Sequence, residues 1–113
     1  MKKSNGKKMR IDIEKTYGKR RKAILHHVIK GIVRIADENC FSHNGLVERL
    51  GNDGLKKMLG DPDYMVFVGV ALAELEKIKK IRTEKYTRDD ESKIVDMIYR
   101  LDERVQIDWI SIR

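Results

Sequence analysis

The chain has 113 residues, 25 Lys and Arg against 18 Asp and Glu, and a formal net charge of +7. That length holds one ordinary domain with one modest core. No apolar run approaches the roughly 18 residues of a membrane span, no apolar stretch of about 7–15 residues follows the lysine-rich start as in a secretory signal, and a single cysteine, Cys40, excludes a disulfide framework.

The charge is uneven. Residues 1–22 hold ten basic side chains (Lys2, Lys3, Lys7, Lys8, Arg10, Lys15, Lys19, Arg20, Arg21, Lys22) and two acidic ones, a net +8, whereas residues 23–113 hold 15 basic and 16 acidic, a net −1. The chain divides into a basic flexible arm over 1–18 and a single domain over 19–113, whose body beyond residue 22 is nearly neutral. Residues 1–10 are expected to be disordered in isolation. Ile11 and Ile13 alternate with Asp12 and Glu14 as in a short strand or extended arm, and Tyr17-Gly18 is expected to break that run.

From Lys19 to Asp37, Leu25, Val28, Ile29, Ile32 and Ala36 recur at helical spacing, with Ile24 and Ile35 widening the stripe. Cys40-Phe41 reads as a short extended piece. Ser42 is a good N-cap for a helix over His43–Leu50 that buries Leu46, Val47 and Leu50 and stops at Gly51. A short helix from Asp53 to Leu59 follows, burying Leu55, Met58 and Leu59 and ending at Gly60. Asp61 as N-cap and Pro62 at the first helical position open the next, which runs to Lys80. Its stripe is Tyr64, Phe67, Val68, Ala71, Leu72, Leu75 and Ile78; with Met65, Val66 and Val70 off the stripe, its first half is expected to be buried on two sides, within the fold or against a second subunit.

Residues 81–87 have strand composition and 88–92 (RDDES) form a polar turn. Residues 93–101 fit either a helix, with Asp89 or Asp90 as its cap, or a strand pairing back on 81–87. Residues 105–112 alternate through Val105, Ile107 and Trp109 as a strand does.

The segments FSHNGLVERLG (41–51) and ALAELEKIKKIRTEKY (71–86), in the order helix, short strand, helix, helix, hairpin, resemble the winged helix-turn-helix family over residues 19–112. The resemblance implies an α+β fold, mainly helical with a small antiparallel hairpin, and DNA binding. Two features depart from the family pattern. Residues 52–63 insert an extra piece before the third helix of the plan. The helix expected to read bases begins Asp63-Tyr64-Met65-Val66-Phe67, without the Arg, Asn or Gln that pair with base edges.

The basic arm is therefore the strongest functional signal. Lys2, Lys3, Lys7, Lys8, Arg10, Lys19, Arg20, Arg21 and Lys22 are candidate phosphate contacts, which gain affinity by counterion release. A second cluster, with Lys79, Lys80, Arg82 and Lys85 as candidates, lies at the end of the fourth helix and the hairpin; Lys77 and Arg88 flank it and Glu74, Glu76 and Glu84 interleave with it. Alternation puts Arg82, Glu84 and Tyr86 on one strand face and Lys85 on the other. Cys40 and His43, with His26 and His27 upstream, fall short of the four ligands of a structural zinc site. Asp89-Asp90-Glu91 reads as a turn or cap rather than a cation site, and no catalytic constellation is present. Trp109, Tyr86, Tyr99 and Phe41 are candidates for stacking bases.

The expected protein is a DNA-binding regulator or chromatin-type factor, not an enzyme. Duplex DNA is favoured over RNA as partner, and a homodimer is expected, with no cofactor, no membrane and no small-molecule substrate. The lone cysteine points to an intracellular place, cytoplasm or nucleoid, and the scarcity of Gln and Asn beside Lys, Glu and Ile leans toward a thermophilic source. The alternatives are a protein-interaction module with a winged-helix body and an RNA-binding accessory protein.

Overall fold

The computed structural model describes residues 13–52, 54–60, 63–102 and 104. Among these residues, four helices and a three-stranded antiparallel sheet form an α+β fold in the order α1 (Ile13–Ile35), β1 (Cys40–Ser42), α2 (His43–Asn52), α3 (Leu55–Leu59), α4 (Asp63–Lys77), β2 (Ile81–Arg88) and β3 (Ile94–Leu101). Asp61, Pro62 and the strand expected over 105–112 lie outside the described residues.

Helix α1 begins earlier than periodicity predicted. Residues 13–18 are helical, so the extended reading of 11–14 fails at Ile13 and the boundary between arm and body does not fall at residue 18. Tyr17 is the reason: its ring is buried in the core, and that contact outweighs the breaking tendency of Gly18. The predicted break survives as a kink at Arg20, where φ is −111° and ψ 15°. The buried face is centred on Ile24, Val28, Gly31 and Ile32, with Leu25, Ile29, Ile35 and Ala36 only at its margin. Gly31 allows α2 to approach closely, since a Cβ there would stand 2.9 Å from Leu50 Cδ2.

Glu38 and Asn39, both with positive φ, turn the chain from α1 into β1, and Asp37 and Cys40 exchange two backbone hydrogen bonds across them. That is the geometry of a type I′ turn. The Ser42 hydroxyl then accepts the Gly45 N–H at 2.9 Å, the expected N-cap of α2. Helix α2 continues through Gly51 to Asn52 rather than stopping at Leu50, with Tyr64 packed over Gly51. Helix α3 starts at Leu55, after Gly54 in the left-handed region, and not at Asp53.

Helix α4 ends at Lys77, three residues before the expected end. Lys79 adopts φ 64°, its N–H bonds the Glu76 carbonyl, and the Lys80 N–H bonds the Leu75 carbonyl at 2.9 Å. This pair of bonds is a Schellman cap with lysine where glycine is usual. Ile78 therefore leaves the stripe and is exposed. The other six members, Tyr64 to Leu75, are buried, and Phe67 reaches zero exposure. Off the stripe, Met65 and Val66 are 43% and 45% exposed, so the described fold does not cover the second side of this helix.

Residues 94–101 are a strand, which resolves the ambiguity at 93–101 and removes the capping role of Asp89 and Asp90. The sheet order is β1-β3-β2, so β3 pairs with both neighbours. Phe41 and Tyr99 stack across the β1–β3 pair at 5.2 Å. In the hairpin turn, Asp89 Oδ1 accepts the N–H groups of Glu91 and Lys93. No helix among the described residues is long and apolar enough to cross a membrane.

Candidate nucleic-acid interface

The first turns of α1 carry four of the candidate cations, and the fold treats them differently. Lys19 and Lys22 are exposed and make no ion pair with a described residue. Arg20 Nη1 donates to the Met58 carbonyl at 3.1 Å and ties α1 to α3. Arg21 grips Glu74 on α4 through Nε at 2.8 Å and through Nη2. The other oxygen of Glu74 accepts the Tyr17 hydroxyl at 2.6 Å. Glu74 is thus held from two turns of α1, and the Arg21 hydrogen bond in particular lowers its pKa below the ordinary carboxylate value. Burial first, then the bond to Glu74, pushes the Tyr17 phenol well above the ordinary tyrosine range.

Arg20 and Arg21 are therefore partly committed within the fold, leaving Lys19 and Lys22 as the accessible pair. The Arg20 contact also brings α3 beside the cationic end of α1, where Lys56 and Lys57 are both exposed. Neither lysine was singled out from the sequence, because 52–63 read there as an insertion rather than as a continuation of the basic surface. Lys2, Lys3, Lys7, Lys8 and Arg10 lie outside the described residues.

The second cluster is rearranged by a β-bulge. Arg82 pairs with Arg100, Thr83 with Tyr99 and Lys85 with Ile98, so Glu84 is the extra residue. Such an insertion shifts the alternation by one residue. Arg82 and Lys85 then share the face of Arg100 and Ile98, whereas Tyr86, opposite Met97, lies on the other face. This reverses the expected grouping of Arg82 with Tyr86. Glu84 accepts two bonds from Arg100, at 3.0 and 2.9 Å, and one from Arg82 at 3.4 Å. Arg100, absent from the sequence candidates, belongs to the cluster because of strand pairing. The hydrogen bond from Arg100 is the main reason that the Glu84 pKa is lowered.

Beside these arginines a cleft of about 440 Å³ is lined by Glu76, Lys79, Ile81, Arg82, Arg100, Leu101 and Asp102. Lys79 and Lys85 are exposed and Lys80 is half-buried. Carboxylates stand among all of them, so this face is mixed in sign, unlike the front of α1.

Helix α4, which the resemblance assigns to base reading, exposes Met65, Val66 and Ala73 over its first three turns, with Gly69 and Val70 half-buried beside them. None can donate or accept a side-chain hydrogen bond to a base edge. Of the stacking candidates, Phe41 and Tyr99 belong to the core, Tyr86 is exposed and Trp109 lies outside the described residues. His43 Nδ1 lies 3.2 Å from the Tyr99 hydroxyl, and burial lowers the His43 pKa. No group of three His, Cys, Asp or Glu side chains able to hold a metal occurs among the described residues. No family model, curated protein or solved structure matches the chain.

Proposed function

We propose that this chain is a DNA-binding protein of winged helix-turn-helix type, a regulator or chromatin-type factor that holds duplex DNA through phosphate contacts of its basic N-terminal residues. The observation that carries the proposal is the concentration of +8 in residues 1–22, of which Lys19 and Lys22 stand exposed at the front of α1 with no ion-pair partner among the described residues. The order of helices and strands and the sheet order β1-β3-β2 accord with that fold. Lys57 on α3 extends the cationic surface, and Lys79, Lys80, Arg82 and Lys85 are secondary contacts tempered by Glu76 and Glu84. Sequence reading by α4 is not part of the proposal, since its solvent face is apolar. That same face favours a second reading, an assembly module, in which the winged body binds protein.

Anisotropy titrations of the full chain on duplex DNA, single-stranded DNA and structured RNA, each over a salt series, test the proposal. Because α1 begins at Ile13, a deletion reaching residue 22 would remove Tyr17; charge-neutral variants are the sound comparison. Changing Lys2, Lys3, Lys7, Lys8, Arg10, Lys19 and Lys22 to Gln should weaken duplex binding and flatten the slope of log affinity against log salt by roughly 0.9 per lost contact. An unchanged slope would refute the arm as the source of affinity. Tighter binding to structured RNA than to duplex would move the reading to the RNA alternative.

A further inference from the structure

We propose that the solvent stripe of α4 is a contact surface for a second copy of this chain, packed antiparallel about a two-fold axis at Gly69 and Val70. The stripe is unusual for this molecule: residues 65–73 contain no charge in a chain that is 38% charged. Asp63, Val66, Val70, Ala73 and Lys77 recur at alternating spacings of three and four, the pattern of a helix seam packed at a shallow crossing angle. Val66, Ala73 and Lys77 are exposed, away from the face of Tyr64, Phe67, Val68, Ala71, Leu72 and Leu75 that the core uses, while Asp63 is half-buried and Val70 half-buried against the core at the stripe's margin. Gly69, a residue that weakens a helix interior, is bordered by open space, with nothing within 4 Å of where its Cβ would stand. Intramolecular packing does not require glycine there, whereas close approach of a second helix does.

Charge complementarity identifies the occupant. The stripe is acidic at its start and basic at its end; Lys77 feels the charge of Glu74, but neither it nor Asp63 makes a direct ion pair with a described residue. At 3.6 residues per turn, Asp63, Val70 and Lys77 share one edge of the stripe, while Gly69 and Glu76 share the other. A two-fold axis across the helix lays each edge against its own copy. Val66 then faces Ala73 of the second copy, and each Asp63 meets the Lys77 of the other chain. A parallel pair would instead set Asp63 against Asp63. The neighbouring carboxylates do not oppose this arrangement, because Glu74 is held by Tyr17 and Arg21 and Glu76 by the Thr83 N–H and hydroxyl. An isologous pair of this kind closes on itself.

One face of a 15-residue helix buries less than the roughly 800 Å² per partner of a standard interface. The dimer is therefore expected to dissociate in the micromolar range. Sedimentation equilibrium of the full chain from about 1 µM to about 500 µM brackets that range. Wild type should pass from monomer to dimer, and Val66→Glu or Ala73→Glu should each weaken association at least ~10-fold, the loss typical of a central contact. Both positions face solvent, and circular dichroism verifies that the variants fold. Asp63→Lys and Lys77→Asp should each weaken the dimer, and the double exchange D63K/K77D should restore it. Monomer throughout the range would overturn the proposal, as would a dimer indifferent to both glutamate variants. Failure of the double exchange to recover over the single variants would overturn the antiparallel register.

Discussion

The clamp between α1 and α4 offers the sharpest test of how the fold is held. Tyr17→Phe removes one hydroxyl whose acceptor, Glu74, is ionised and whose side chain is only 19% exposed. Hydrogen bonds to charged acceptors contribute about 1.5–3 kcal/mol, and the partial exposure of Glu74 places this one near about 1.5–2 kcal/mol. For a domain of this size that is a Tm drop of about 5–10 °C. A double-mutant cycle with Glu74→Ala, read by urea unfolding at pH 7, should return a coupling of that size. Arg21 is half-exposed, and its own pairing adds little because water screens it.

The pH dependence has a definite sign. The folded protein lowers the Glu74 pKa below its ordinary 4.5, chiefly through Arg21. The stabilisation is therefore complete above 4.5 and is lost as pH falls through the depressed folded value. Tyr17 is shifted upward, so its share is present below its ordinary 10.0 and is lost only as pH rises from there through the raised folded value. A coupling near zero at pH 7, or one that grows on acidification, would refute the reasoning.

The other predictions concern core, cap, backbone and binding. Phe67→Ala removes the largest fully buried side chain and should cost about 3–5 kcal/mol by denaturant unfolding. Ser42→Ala deletes the acceptor for the Gly45 N–H and should cost about 1 kcal/mol, while Ser42→Asp should retain most of it. Lys79→Gly relieves a left-handed lysine at the end of α4 and should raise stability by about 1 kcal/mol in the same assay. Glu74→Gln loosens Arg21 for a phosphate, so duplex affinity should rise more than in Glu76→Gln, which changes the charge equally without freeing an arginine.

Much of the fold was legible because its signals are local. Ser42, the Gly60 break, the stripe of α4 and the polar turn at 88–92 each declare themselves within a few residues. What escaped depends on partners distant in sequence. Tyr17 looked like the end of an arm because its acceptor, Glu74, lies 57 residues away. Residues 93–101 carry apolar positions at both periods, and only pairing on two sides, with β1 and β2, selects the strand. The bulge at Glu84 is a property of the pair of strands rather than of either one. The candidate cations were visible as charge, but their availability was not, since the contacts of Arg20 with Met58 and of Arg21 with Glu74 arise from tertiary packing.

The same bulge has a consequence for solubility. Among the described residues the sheet order leaves β2 as an outer strand of eight residues, long enough to template the addition of a foreign strand. The bulge at Glu84 interrupts its hydrogen-bonding repeat, and Lys85 and Arg88 add charge along it. The opposite rim, β1, offers only three residues. Both rims of the described sheet are thus poor templates for the open-ended stacking that leads to fibres.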